Sequence, residues 1–111
     1  MIQGLLFLDE FVQIITHQPS PARFTSFSDS VMLKCIAAVD IREVQWFKNG
    51  MAVVTSEYIK IEVTGKETTL SLPRFSVFHL GVYHVVVDGV GSTPAKVTAE
   101  VKPVFLSKWV H

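Results

Sequence analysis

Val44-Gln45-Trp46-Phe47-Lys48-Asn49-Gly50 carries the two marks of a β-strand running into a tight hairpin. Val44 and Trp46 alternate with Gln45 and Phe47, so an extended backbone sends the first pair to one side and the second to the other. Asn49-Gly50 follows directly, and these two residues accept the positive φ angles that a two-residue hairpin needs. A helical period would have to scatter the same apolar residues around an axis, and the stretch shows none.

Outward from it the pattern repeats. Val31, Leu33 and Cys35 alternate with Met32 and Lys34, and Tyr58 to Val63 is alternating and β-branched. Thr68 to Leu72 puts Leu70 and Leu72 on one face. Tyr83, Val85 and Val87 form another set, ended by Asp88-Gly89 and Gly91. Ala95, Val97, Ala99 and Val101 alternate with Lys96, Thr98 and Glu100. Val12 to Thr16 reads as a strand, broken by Pro19 and Pro21, with a second extended piece over Ala22 to Phe27; proline confines these to an edge or a strand switch. The fold class expected is all-β, a two-sheet antiparallel sandwich of about seven to nine strands.

The chain has 111 residues, enough for one domain with a real core. The division expected is an N-terminal extension over 1–11, a domain over 12–101 and a linker or tail over 102–111. Nearly half of the residues are apolar, 49%, so some apolar surface is expected outside the core. Net charge is zero, without a basic or acidic block, which argues against nucleic acid or an anionic membrane as partner. The apolar run Leu5 to Leu8 ends at Asp9 and Glu10 and has no basic residue before it, unlike a secretory signal, and no run would span a bilayer. Cys35 is the only cysteine, so no intrachain disulfide forms, and a reducing compartment is expected.

Cys35, followed by Trp46-Phe47-Lys48-Asn49-Gly50, resembles strands B and C of an immunoglobulin domain. Leu70-Ser71-Leu72, Phe75 and Gly81-Val82-Tyr83 resemble the family's strand E and its corner, where a leucine pair precedes an Asp-x-Gly-x-Tyr-x-Cys motif. The resemblance covers Val12 to Val101, and the short gap between Trp46 and Leu70 points to the intermediate, or I-set, type. It implies a structural core of Cys35, Trp46, Leu72, Tyr83 and Val85, with Trp46 packed across the centre and the Tyr83 hydroxyl bonded back to the backbone. Two positions depart from the pattern: His79 stands at the family's aspartate, and Val85 at its second cysteine. Cys35 would face Val85 without a bond, forgoing a cross-link worth ~2–4 kcal/mol. I-set domains without the disulfide are similar to those of titin, obscurin, myomesin and twitchin. For these the implied role is a cytoplasmic module of the sarcomere or cytoskeleton that spaces and docks other proteins.

Chemistry finds little support. His17, His79, His84 and His111 have no cysteine or carboxylate at ligand spacing and are read as solvent-facing. No nucleophile elbow, phosphate cradle or paired carboxylates mark an enzyme, so no catalytic residue, metal or cofactor is expected. The glycines at 50, 65, 81, 89 and 91 are read as turns. Cys35 alternates with core residues and is read as an inert buried thiol. With Trp46 pointing in, Phe47 points out, and with Tyr83 and Val85 in, Val82, His84 and Val86 face out. These four are the candidate protein-contact patch. Phe105 and Trp109 are further candidates beyond the last strand, either as the start of a following domain, as a docking tail, or as frayed ends. The partners expected are neighbouring immunoglobulin-type domains or filament proteins, with a homodimer left open by the edge strands. The alternatives are an extracellular adhesion or receptor domain that lost its disulfide, and a regulatory domain of a larger signalling kinase or exchange factor. The chain has no Asn-x-Ser/Thr acceptor, which counts against the first.

Overall fold

A computed structural model describes residues 14–100. Ten strands are present among them: β1 (Ile15–His17), β2 (Ala22–Phe24), β3 (Val31–Ala37), β4 (Val44–Lys48), β5 (Met51–Ala52), β6 (Lys60–Thr64), β7 (Glu67–Leu72), β8 (Gly81–Val87), β9 (Val90–Gly91) and β10 (Ala95–Ala99). The count exceeds the expected seven to nine because β5 and β9 are two-residue pieces at hairpins. One short 3-10 turn, Val77–His79, precedes β8.

The strands form two sheets, ordered β1-β3-β7-β6 and β2-β10-β8-β4-β5, with β9 paired to β8. The proline-bearing segment between β1 and β2 carries the chain from one sheet to the other. As a result β2 runs parallel to β10, with Ala22 beside Val97 and Phe24 beside Ala99. This is the one departure from the antiparallel pattern expected, and it follows from β2 keeping the direction of β1 after changing sheets. β2 ends at Phe24, short of Phe27, because the Asp29 carboxylate accepts hydrogen bonds from the Thr25 amide and hydroxyl, both at 2.7 Å, and curls the chain. Tyr58 likewise falls in the turn before β6, closed by a Ser56–Ile59 bridge.

The inward faces meet in one core of Ile15, Phe24, Val31, Leu33, Cys35, Ala37, Trp46, Leu70, Leu72, Tyr83, Val85, Val87, Ala95 and Val97. Period-2 alternation explains it directly: β3 and β8 bury every second residue while Met32 and Lys34 stay outside. The Trp46 indole N–H donates to the Thr68 hydroxyl at 3.2 Å, which in turn donates to the Glu62 carbonyl at 2.9 Å. That relay satisfies the one polar atom of the buried ring, which would otherwise cost about 1–3 kcal/mol.

Candidate protein-contact face

β4 and β8 are hydrogen-bonded neighbours, in the register Gln45 to Val86, Trp46 to Val85, Phe47 to His84 and Lys48 to Tyr83. This register places Phe47 and His84 directly opposite each other on the outer face. Their rings stack, with centroids 4.8 Å apart and planes 6° from parallel. Val82 and Val86 lie two residues to either side of His84 on the same face, Val82 39% exposed and Val86 half-buried. The four sequence candidates therefore come together as one patch, centred on an aromatic pair. Exposed Gln45 and Lys96 border it, Lys96 by its pairing with Val82.

Two hairpins hold the patch in shape. Asn49 and Gly50 adopt φ of 51° and 85°, and Asp88 and Gly89 adopt 48° and 86°, so each closes a type I′ turn. Asn49 also locks β4 to the start of β8: its amide donates to the Val82 carbonyl at 2.7 Å, and its side-chain oxygen accepts from the Val82 amide at 2.9 Å. This close approach requires glycine at 81, where φ is 154° and a Cβ would lie 2.9 Å from the Asn49 side-chain oxygen. Gly81 thus opens a strand rather than making a turn, and Gly91 lies within β9. Both differ from the reading of these glycines as turn residues. At the far end, the Asp88 carboxylate accepts from the amides of Arg42 and Glu43, the latter at 2.7 Å.

Beneath the patch, Cys35, Trp46, Leu72, Tyr83 and Val85 are all buried. Burial pushes the Cys35 thiol up from its ordinary value, the opposite of an activated thiol. The Tyr83 hydroxyl donates to the His79 carbonyl at 2.6 Å, and burial raises its pKa to about 12. His79 is the clear correction among the histidines. It is 4% exposed, not solvent-facing. The 3-10 turn folds it inward against Phe24, ring centroids 6.2 Å apart, an aromatic contact at the position where the family's pattern has an aspartate. Burial holds its pKa below the ordinary value, opposed by hydrogen bonding with the Arg74 backbone and aided by the Lys48 charge. His17 is exposed and His84 half-buried. His111, Phe105 and Trp109 lie outside the described residues. Among the described residues no three His, Cys, Asp or Glu side chains are grouped to hold a metal ion.

Thr68, Asn49 and Asp88 were missed as functional supports. Asn49 and Asp88 carried a signal, as the first residues of Asn-Gly and Asp-Gly pairs, but their side-chain partners are 33 and 46 positions away along the chain.

The model of the immunoglobulin I-set domain matches residues 14–102. The chain belongs to the immunoglobulin I-set family. Like other modules of this generally non-catalytic family, it is similar to domains of muscle giants. It is 36% identical over 97 residues to a titin homolog of Caenorhabditis elegans, a match covering 86% of this chain and 0%, to the nearest per cent, of the relative's length. The solved Ig-like domain of human obscurin-like protein 1 superposes with a TM-score of 0.67 at 26% identity, covering 80% of this chain and 86% of that one. A crystallised complex of a titin domain with the Ig domain of obscurin-like 1 gives a TM-score of 0.68 at 24% identity, covering 80% and 94%. This I-set domain therefore shares both fold and family with titin-type modules, with Val85 where the second cysteine of the disulfide-bonded pattern stands.

Proposed function

We propose that this domain is a non-catalytic structural module of a cytoplasmic, sarcomeric or cytoskeletal protein, which spaces its neighbours and docks another immunoglobulin-type domain through the outer face of β4 and β8. The observation that carries the docking reading is the stacked Phe47–His84 pair flanked by Val82 and Val86. A rigid, partly apolar patch with an aromatic centre is the kind of surface that concentrates binding energy. The identity to a titin homolog supports the muscle setting, and a complex between a titin domain and an obscurin-like Ig domain supports a partner of the same fold. The lone buried thiol fits a reducing compartment. Residues 12–101 form the module on this reading, with 1–11 and 102–111 as its connections.

The test is Val86→Glu, which sets a charge at one end of the patch, beside the aromatic pair. Affinity for the Ig domain of obscurin-like 1, used as the probe, and self-association by light scattering are measured against the parent. The expected result is an unchanged fold with binding weakened about tenfold or more, which corresponds to ~1.4 kcal/mol. Equal affinity and equal mass for parent and variant would remove the patch from the reading. A parent that neither self-associates nor binds the probe contradicts docking between immunoglobulin modules.

A further inference from the structure

The two sheets leave four edge strands among the described residues, β1, β6, β2 and β5, and three of them are guarded. An unguarded edge is a template for another chain, and charge, proline or a bulge is what guards it. In β1 the register breaks between Ile15 and His17, and Pro19 follows. β2 has Pro21 directly before it, and its Arg23 is tied to Glu100 at 3.1 Å. β6 carries exposed Lys60 and Glu62, and the Ser56–Ile59 bridge occupies its start. β5 is short, but it has none of these devices. The run Met51-Ala52-Val53-Val54-Thr55-Ser56 holds neither charge nor proline, the composition that favours pairing with another strand. Met51 is 74% exposed and Val54 80%.

The free backbone groups of β5 define what fits beside it. β5 pairs with β4 in the register Lys48 to Met51 and Phe47 to Ala52, and the Val53 amide donates to the Trp46 carbonyl at 2.9 Å. Bonding groups alternate along an antiparallel ladder, so with Val53 turned to β4, Ala52 turns its amide and carbonyl to the open edge. The Val54 and Thr55 amides find no backbone acceptor among the described residues. An extended backbone is the occupant that satisfies such a row. A second β5, antiparallel about a twofold axis at Ala52, exchanges both hydrogen bonds between the two Ala52 residues. It also sets Met51 of each chain against Val53 of the other, an apolar cross-strand pair. Neither strand carries a charge, so nothing repels the pair.

We infer that this domain pairs with a second copy of itself through β5, the Ala52 amide of each chain donating to the Ala52 carbonyl of the other, so that the two β5-bearing sheets join into one. This goes beyond the docking role of the β4–β8 face and does not depend on it. The twofold axis stands across the joined sheet, which leaves both β4–β8 faces open and on the same side. The pair therefore presents two such faces at once, an arrangement that raises avidity without any new contact.

Light scattering of the full 111-residue chain at rising concentration tests this, with Ala52→Pro as the variant. Proline at 52 removes the outward amide and is tolerated on a sheet edge. The expected result is a mass that climbs towards twice that of one chain in the parent and stays at one chain in Ala52→Pro. Phe78→Asp, at an exposed site away from β5, climbs as the parent does. Amide hydrogen exchange in the parent gives a second reading, independent of how the proline variant folds. The Ala52 amide should slow about tenfold from dilute to concentrated protein, while that of Ile61 on the β6 edge keeps its rate. A parent with the mass of one chain at every concentration overturns the inference. So does a doubled mass with Ala52 exchange unchanged. A doubled mass that Ala52→Pro leaves and Val86→Glu reverts would place the contact on the β4–β8 face, and equally overturns it.

Discussion

The two faces of the β4–β8 pair are built by eight alternating residues of the same two strands, four to a side, and differ in what covers them. The inner face, Trp46, Tyr83, Val85 and Val87, is fully buried. The outer face, Phe47, Val82, His84 and Val86, remains partly exposed, although it is nearly as apolar. On the inner face both polar side-chain groups have an acceptor: the indole has Thr68 and the tyrosine hydroxyl has the His79 carbonyl. Outside, the aromatic pair Phe47–His84 satisfies itself only by stacking. The difference teaches that apolar content alone does not define a core. A residue serves stability when the opposite sheet covers it, and is free for recognition when nothing in the domain does.

Substitutions should divide along this line. The largest effect is expected inside: Trp46→Ala removes a buried ring and should lower unfolding free energy by about 3–5 kcal/mol in urea denaturation. Thr68→Val keeps the shape but strands the indole N–H, and a loss of about 1–3 kcal/mol is expected. Tyr83→Phe removes the hydroxyl bond to His79 and should cost about 0.5–1.5 kcal/mol. It also carries a pH signature. Tyr83 has a folded pKa raised to about 12, so its contribution is whole below about pH 10, the ordinary tyrosine value, and is lost as pH rises towards 12. The alkaline limb of the stability curve should therefore be flatter in Tyr83→Phe. His79 has the opposite sign. Its lowered pKa means that the stabilising effect of the neutral ring is present above about pH 6.5 and is lost as pH falls, so His79→Gln should flatten the acid limb. The smallest effect is expected outside: Val86→Glu should alter stability by no more than about 0.5 kcal/mol while weakening association. A large stability loss from Val86→Glu would break the comparison, because it would make the outer face part of the core.

The fold was legible in the sequence because alternation and turn chemistry are local. Val31-Leu33-Cys35, Trp46 and Asn49-Gly50 fix strand, inward face and hairpin within a few residues of one another. The outward patch followed from the same parity argument once Trp46 and Tyr83 were set inward. What local pattern could not supply was pairing across the chain. Thr68 under the indole depends on two sheets coming together, and Asp88 on the loop at Arg42 and Glu43 lying beside it. The burial of His79 depends on a single 3-10 turn that rolls it against Phe24, and nothing in the sequence of that turn distinguishes an inward histidine from an exposed one. The switch of β2 to the second sheet was announced by Pro19 and Pro21, but its parallel pairing with β10 was not.

The central claim is that recognition resides on the outer face of β4 and β8. It is tested most directly by an NMR titration of the isotope-labelled domain with the unlabelled Ig domain of obscurin-like 1. The expected result is a contiguous set of amide shifts centred on Phe47, Val82, His84 and Val86, with the inner-face residues moving little. Shifts absent at saturating probe, or centred on another edge or pole of the sandwich, would contradict it.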